Sequence, residues 1–429
     1  MNDEILGILR NEVKPALGCT APVAIAFAAA TARDAVGGVP LEVLVRMDKD
    51  TYKNTLSVGI PGTSLRGNEI SAALGALAGD AGAGMEVLKE VTPGDERRAA
   101  AFLERTRVEI CWENKGVGLR IDAEVKTDRG TGRAVVAKTH TNVVLLEADG
   151  RKILDRDVPA QHNAFDYSAD PVRKYSLQDL LDFSLTVDLK DIQFLSEGID
   201  MNMRLASAGL GEGAGAGFGR AFVKMGGGMI LRAKALTAAA SDARMGGFGL
   251  PAMCCATSGN VGITAMLPLV AVAESMGKER EDLLRAVAFS CLLTILMKSH
   301  IGRLSALCAC AIAAGIGVAG GASILLGGDR DCPERAIQNL TGALMGVVCD
   351  GAKYGCALKL SSAAGLAIES AMLAKEGIFV PGGDGLVCDT GDETMETIGR
   401  VAQEGMVVTS DVMARIIIDR ETGRKKKGA

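Results

Sequence analysis

Hydrophobic and polar positions follow two different spacings along the chain, and the spacing changes near residue 160. The first part mixes alternating apolar and polar stretches, typical of half-buried strands, with the three-to-four-residue spacing of amphipathic helices. It therefore predicts an antiparallel sheet covered by helices. The strand patterns are at 41–47, 108–112, 119–125 and 134–147, with a turn at 128–133, and the helical patterns are at 3–14 and 22–34.

Beyond a polar connector at roughly 150–175, the pattern is almost entirely helical. A chain of 429 residues exceeds the usual size of one hydrophobic core, so two domains are expected. The predicted fold class is α+β, with a mixed α/β domain at 1–165 and an all-helical domain at 166–429. The predicted helices are at 176–184, 221–241, 261–276, 280–297, 306–326, 333–346 and 359–375.

Composition and charge argue against some classes of function. A net charge of -5 gives no support for binding to nucleic acid or to an anionic membrane, so a small molecule is the expected partner. Eleven cysteines without a signal-peptide pattern predict a cytoplasmic protein with free or metal-bound thiols. Residues 306–328 carry no charge, but their Ala, Gly and Cys content favours a buried helix over a membrane span. Helices with such small faces are also compatible with a homo-oligomer.

Cysteines near the C-terminal third suggest an iron-sulfur site. Cys349 and Cys356 stand on either side of a short Gly-containing loop, and Cys308 and Cys310 open an apolar helix upstream. Three thiolates can hold a cluster that leaves one iron open to substrate. Either Cys308 or Cys310 could be the third ligand. The alternative is that these thiols pack as small core hydrophobes.

Cys19 occupies a second candidate position, between two predicted helices. Thr20 follows it as a helix N-cap residue and Pro22 stands just inside the helix. Unpaired backbone N–H groups at such a point favour a thiolate, which suits a nucleophile or a general base. A cysteine merely packed in the turn is the alternative.

Polar groups at two further positions are candidates for substrate binding. Ser258, Gly259 and Asn260 offer hydroxyl, backbone and amide donors just before a helix, which suits a carboxylate, although an ordinary N-cap has the same pattern. His140, with Asn142 close by in the predicted strand 134–147, could hydrogen-bond a substrate or could simply lie on the surface.

Glycines at 208–220 have a spacing seen in dinucleotide sites, which would suit a nucleotide-dependent oxidoreductase. The residues before them have a helical pattern, however, and such a site requires a preceding strand. The glycine spacing therefore carries little weight.

Four motifs together resemble the L-cysteine desulfidase family, which is related to the iron-sulfur L-serine dehydratases. They lie in order over nearly the whole chain, at 18–22, 258–265, 302–310 and 349–359. The resemblance implies a mixed α/β domain similar to the serine dehydratase beta chain, followed by a helical, cluster-bearing domain similar to the alpha chain. It also implies an enzyme that works without pyridoxal phosphate and uses a [4Fe-4S] cluster.

The implied reaction is the elimination of hydrogen sulfide from L-cysteine, with pyruvate and ammonia as the other products. L-Serine or another β-substituted amino acid is the alternative substrate, and a cluster-free, non-enzymatic homologue is the second alternative. Two departures from the family pattern bear on activity: Ala21 where an acidic residue is common, and Val261 where Gln is common. The implied roles are cluster ligand for Cys349, Cys356 and Cys308 (or Cys310), general base for Cys19, and carboxylate binding for Ser258, Gly259 and Asn260.

Overall fold

The computed structural model describes residues 1–17, 20–106, 108–112, 119–156, 170–211, 213–302 and 305–427. The first part of the chain alternates helices with strands, as the hydrophobic pattern predicts. Its helices are α1 (Asn2–Glu12), α2 (Thr20–Val36), α3 (Lys49–Thr55), α4 (Asn68–Ala78) and α5 (Pro93–Arg105). Its strands are β1 (Pro15–Leu17), β2 (Pro40–Met47), β3 (Val108–Trp112), β4 (Arg120–Thr127), β5 (Thr131–Ala137), β6 (Val143–Ala148) and β7 (Arg151–Asp155).

Six of these strands form one sheet in the order β3-β2-β4-β5-β6-β7. All neighbours are antiparallel except β2 and β3, which pair in parallel, so the predicted antiparallel sheet is in fact mixed. A parallel pair needs a long crossover, and α3, α4 and α5 lie between the two strands in the chain. The predicted strand 134–147 is two strands, because the chain turns at Lys138, whose φ is +70°.

The two faces of the sheet differ in chemistry. On the inner face, alternate residues of β4 are fully buried against α2, among them Ile121 and Val125. On the outer face, Arg133 spans neighbouring strands, with its guanidinium 2.8 Å from Asp122 and 3.2 Å from Glu147. This alternation of apolar and charged positions fixes the register of the sheet.

The second part of the chain is a bundle of helices. It also contains the short strand β8, which pairs antiparallel with β1, so the prediction of an all-helical domain is wrong at this point. The elements are α6 (Leu177–Thr186), α7 (Leu189–Ile192), α8 (Phe194–Leu210), α9 (Phe218–Lys224), α10 (Met229–Met245), β8 (Pro251–Met253), α11 (Gly259–Met276), α12 (Arg280–Ile301), α13 (Ile312–Leu325), α14 (Cys332–Leu344), α15 (Gly355–Lys375), α16 (Gly391–Arg400) and α17 (Val407–Lys427).

The most apolar helices lie in the centre of this bundle. Helix α13 arises from the uncharged stretch 306–328 and is almost entirely buried. Small residues let it approach α12 closely, since a Cβ at Gly317 would lie 2.3 Å from the carbonyl oxygen of Ser290. Within the described residues, α11, α12 and α15 are long and apolar enough to cross a membrane by length and composition. Inside the protein, 83%, 89% and 61% of their most apolar segments are buried.

Two large apolar cores correspond to the sheet and the bundle. Helix α2 and the inner sheet face form one core, and α6 to α16 supply most of the other. Helix α1 belongs to the second core through Ile5 and Leu9, although it begins the chain. The division near residue 165 falls within 157–169, outside the described residues, and stays a prediction.

Backbone contacts join the two parts. Besides the β1–β8 pair, the Gly59 N–H donates to the Met245 carbonyl at the end of α10 over 3.1 Å. A Cβ on Gly59 would lie 2.5 Å from the Gly247 nitrogen, so only glycine permits this approach. The loop after α3 is therefore held against the end of α10.

Two glycines in helices offer a matched test of this packing. A Cβ at Gly75 in α4 would lie 2.2 Å from the carbonyl oxygen of Ala26 in α2, whereas a Cβ at Gly7 in α1 would meet no atom within 4 Å. We expect Gly75→Ala to lower the free energy of unfolding by roughly 2 kcal/mol through overpacking. Gly7→Ala should raise it by roughly 0.5–1 kcal/mol, because alanine favours the helix. Urea unfolding measures both, and equal effects would contradict the packing described.

Candidate active site

Two chain segments cross to bring the cysteine pairs together. The Cys308 N–H donates to the Val347 carbonyl over 2.8 Å, and the Cys349 N–H donates to the Ala306 carbonyl over 2.7 Å. These bonds form a short antiparallel bridge just before α13 and α15. Cys308 consequently lies in a small apolar cluster with Ala311 and Ala363, and both Cys310 and Cys349 pack against that cluster.

Cys356 joins the group from the first turn of α15. It packs with Met245 and Val58 in a neighbouring cluster, against which Cys310 also packs, so Cys310 lies between the two clusters. The structure thus brings together all four thiols predicted as ligands. Both Cys308 and Cys310 are near Cys349, and the choice between them as third ligand stays open.

The surroundings of Cys308, Cys349 and Cys356 hold these three thiols in their protonated form. Burial raises the pKa of Cys356 to about 12 and also raises the pKa of Cys349. A hydrogen bond with Cys310, followed by burial, raises the pKa of Cys308. A metal would bind here by displacing protons, so its affinity should increase with pH.

The donor set indicates which kind of metal group fits. Within the ranges that the structure describes, no three His, Cys, Asp or Glu side chains are arranged to hold a single metal ion. The ligands of an iron-sulfur cluster bind different irons, so they are spaced more widely than the ligands of one ion. Soft thiol donors also match iron-sulfur chemistry better than magnesium or calcium. Four thiols as donors are therefore compatible with an iron-sulfur cluster.

The predicted carboxylate-binding turn lies at the start of α11. Ser258 is the N-cap residue, yet its side chain makes no capping hydrogen bond. Ala256 and Thr257, just before it, have positive φ values of 46° and 67°, which non-glycine residues rarely adopt. The turn is therefore not an ordinary side-chain-capped helix start, and its backbone is strained, as is common at functional sites.

Asn260, in the first turn of α11, connects this turn with α10. Its Oδ1 accepts a hydrogen bond from Arg244 Nη1 over 3.2 Å, and its Nδ2 contacts the Met245 sulfur at 3.5 Å. The Arg244 guanidinium lies against Gly259, where a Cβ would be 2.4 Å from Nε. Met245 also packs with Cys356, so it contacts both the turn and the group of thiols.

Cys19 lies outside the described residues, but both of its flanks contact the site. Strand β1 ends just before it and pairs with β8, which leads into the Ser258 turn. Ala21 packs against the cluster that contains Met245 and Cys356. The proposed role of Cys19 stays a prediction.

His140 lies in the turn between β5 and β6 rather than within a strand. Its Nε2 is 3.2 Å from the hydroxyl of Thr20 in α2. Burial lowers the pKa of His140 to about 4, so the ring is neutral at physiological pH. Asn142 closes the same turn by donating to the Ala137 carbonyl over 3.0 Å, and its contact with substrate stays a prediction.

The glycine-rich segment 208–220 has a structural role. Helix α8 precedes it, as the pattern predicts, and no strand does. The backbone N–H groups of Ala216, Gly217 and Phe218 donate to the buried carboxylate of Asp242 over 2.6–3.2 Å. Groups that would bind a phosphate in a dinucleotide site thus bind an internal carboxylate.

Comparison with known proteins identifies the family of the chain. A family model described as serine dehydratase alpha chain matches residues 82–414, which include most of the sheet as well as the bundle. The chain belongs to the serine dehydratase alpha chain family. This membership supports a dehydratase-like function of the lyase type.

Several bacterial relatives match this family member over nearly their whole length. The chain is 39% identical to a UPF0597 protein of Caldanaerobacter subterraneus subsp. tengcongensis, over 96% of this chain and 98% of the relative. It is 36% identical to a UPF0597 protein of Clostridium tetani, over 98% of this chain and 100% of the relative. It is 38% identical to a UPF0597 protein of Desulfotalea psychrophila, over 100% of both chains.

Sequence reasoning missed two residues at the site of this serine dehydratase alpha chain family member. Arg244 and Met245 end α10, beyond the predicted helix 221–241. One signal was present: Asp242 and Arg244 are charged residues at the end of an Ala-rich apolar run, and a helix of that composition is usually buried. Buried charges of this kind are paired or functional.

The lowered pKa of the half-buried His140 predicts a pH dependence of stability. Its pKa is about 4 in the folded protein and near 6.5 in the unfolded chain, so the unfolded chain binds more protons between these values. Stability from this group is fully present above pH ~6.5 and falls as pH drops toward ~4, by up to about 1.4 kcal/mol per pH unit. We expect His140→Gln to have a shallower loss than wild type in urea unfolding at several pH values.

His300 provides the matched control, since burial and then the charge of Arg173 lower its pKa to about 4 as well. His300→Gln should remove a similar share of the pH dependence at a position in the bundle. Parallel stability curves for wild type and His140→Gln would contradict a neutral His140.

Proposed function

We propose that this protein is a cytoplasmic lyase that converts L-cysteine and water to pyruvate, ammonia and hydrogen sulfide. In this proposal Cys349, Cys356 and either Cys308 or Cys310 hold a [4Fe-4S] cluster. The observation that carries the proposal is that Met245 contacts both Cys356, one of the four thiols, and Asn260 in the Ser258–Asn260 turn. A metal group and a carboxylate-binding turn that share a neighbouring side chain suit a small amino acid.

The cluster, when bound, would supply a Lewis acid for the leaving group on the β-carbon. The chain's own residues would bind and orient the substrate. The first-turn N–H groups of α11 and the Ser258 hydroxyl suit the substrate carboxylate, since a helix N-terminus favours an anion. The guanidinium of Arg244, close behind Gly259, adds positive potential at the same place.

Removal of the α-proton requires a base near this turn. The family resemblance assigns that role to Cys19, and the contacts of Thr20 and Ala21 with the site support it. Because the His140 ring is neutral, it can either donate a hydrogen bond to the Thr20 hydroxyl or accept one from it. Ala21 supplies no carboxylate there, so the substrate ammonium would need a different partner than in family members with an acidic residue.

L-Serine is the second candidate substrate, favoured by the description of the matched family as serine dehydratase alpha chain. Its hydroxyl would leave as water, and the carbon product would again be pyruvate. A cluster-free, non-enzymatic homologue of the same fold is the further alternative that the following experiment distinguishes.

Anaerobic purification followed by iron, sulfide and pyruvate measurements tests the proposal. We expect about four irons per chain and pyruvate release from L-cysteine that exceeds release from L-serine. Cys349→Ser and Cys356→Ser should each lose most of the iron and activity. Cys388→Ser is the matched control, because Cys388 lies in the loop before α16 and bonds Thr397, away from the four thiols. Iron-free wild-type protein without pyruvate release would favour the non-enzymatic homologue.

Asn260→Asp tests the carboxylate-binding turn. The new carboxylate would neutralise Arg244 and repel the substrate carboxylate, so KM for L-cysteine should rise at least tenfold, or by about 1.4 kcal/mol, with iron content unchanged. Asn339→Asp is the control, since Asn339 is buried in α14 and bonds only backbone near α15. It should lower stability without raising KM. An unchanged KM in Asn260→Asp would contradict the assignment.

A further inference from the structure

Lys359 bonds both neighbours of Cys349. It lies one helical turn after Cys356 in α15, so the two side chains share a face of the helix. Its ammonium donates to the Val348 carbonyl over 2.8 Å and makes an ion pair with Asp350. Lys359 thereby links the backbone segment that carries Cys349 to helix α15, which carries Cys356.

The loop around Cys349 has an excess of positive charge. Asp350 makes ion pairs with Lys353 and Lys359 at once, so two ammonium groups share one carboxylate. Lys353 also donates to the carbonyls of Asp350 and Gly351 over 3.4 and 3.5 Å. The nearby buried Lys53 has its own partner in Asp50, at 3.1 Å. The unbalanced positive charge therefore comes from Lys353 and Lys359, which share one carboxylate.

Resting on the proposed function, we infer that Lys359 is a positioning residue whose ammonium, held against both neighbours of Cys349, supplies the positive charge that an anionic, thiolate-bound metal group needs here. A thiolate-held cluster brings negative charge into a poorly solvated interior, where an uncompensated charge is costly. The ammonium of Lys359 contacts both neighbours of Cys349, so its charge lies next to that proposed ligand.

A purely structural role and a charge role predict different results for substitutions. Lys359→Met removes the charge and the bonds, whereas Lys359→Arg keeps the charge. Asp350→Asn breaks the ion pairs but leaves the loop more positive. A structural clamp predicts that Asp350→Asn weakens metal binding, and a charge role predicts that it strengthens binding. Lys375→Met, at the exposed end of α15, is the matched control.

The test uses the full chain with two readouts that do not depend on activity. The first is the affinity of the metal-free protein for Cd²⁺, read from thiolate-to-metal absorbance, and the second is the midpoint potential of the reconstituted cluster. Lys359→Met should bind Cd²⁺ at least tenfold more weakly and have a lower potential. Lys359→Arg and Lys375→Met should stay within about threefold of wild type, and Asp350→Asn should bind more tightly and have a higher potential.

The outcomes separate the two proposals. Unchanged Cd²⁺ affinity in Lys359→Met, or weaker binding in Asp350→Asn, would overturn the role of Lys359. Wild-type protein that binds no Cd²⁺ at these thiols would overturn it too. Protein that binds Cd²⁺ with the predicted order of variants, yet takes up no iron and releases no pyruvate, would overturn the lyase function and leave the role of Lys359 standing. Asp350→Asn keeps the test decisive if Lys359→Met does not fold.

Discussion

Direct packing of backbone against backbone at glycine residues is the constraint on which the site depends. A Cβ at Gly59 would collide with the chain after α10, one at Gly351 would lie 2.3 Å from a carbonyl oxygen of α3, and one at Gly262 would lie 2.0 Å from a carbonyl oxygen of β8. These contacts attach the sheet, the thiol loop and the Ser258 turn to one another. With 54 glycines the chain has many such positions, and these three set the spacing of the site.

Two groups of cysteines in the described part of the chain lie in environments that the residue type alone does not separate. Cys255 and Cys291 contact each other in the centre of the bundle, where a hydrogen bond between them and burial raise the pKa of Cys255. Cys349 is half-buried and lies beside the ammonium groups of Lys359 and Lys53. Nearby positive charge therefore distinguishes Cys349 from Cys255. The same reasoning places Arg244 beside a turn suited to an anion.

Much of the fold could be predicted from the hydrophobic periodicity. A long segment with one periodicity can bury its apolar residues on one face only as a helix or only as a strand. Helices α11, α12 and α13 and strands β2 and β4 are of this kind. Helix α6 also begins where the pattern predicts, and the structure shows a capping box of Ser176 and Asp179 at its start. Features that depend on distant partners did not follow: the parallel pairing of β2 with β3, the strand β8, and the turn at Lys138. Three-residue strands carry no pattern, and a positive φ at lysine is set by the surrounding sheet.

For the candidate site, too, local motifs could be predicted from the sequence, whereas contacts between distant residues could not. The motifs identified the thiols and the Ser258 turn, yet spacing could not tell whether Cys308 or Cys310 faces Cys349, since both lie in the segment just before α13. It also could not identify Arg244 or Lys359, whose contribution arises only when α10 meets α11 and α15 meets the loop at 347–350.

Mössbauer spectroscopy of anaerobic protein loaded with isotopically enriched iron tests the central claim most directly, because it distinguishes individual iron sites. The account predicts a cluster of about four irons in which one iron, without a cysteine ligand, differs from the others and changes when L-cysteine is added. Iron sites whose spectra are all alike and do not change when L-cysteine is added would contradict the account. The absence of any iron-sulfur signal would contradict it as well.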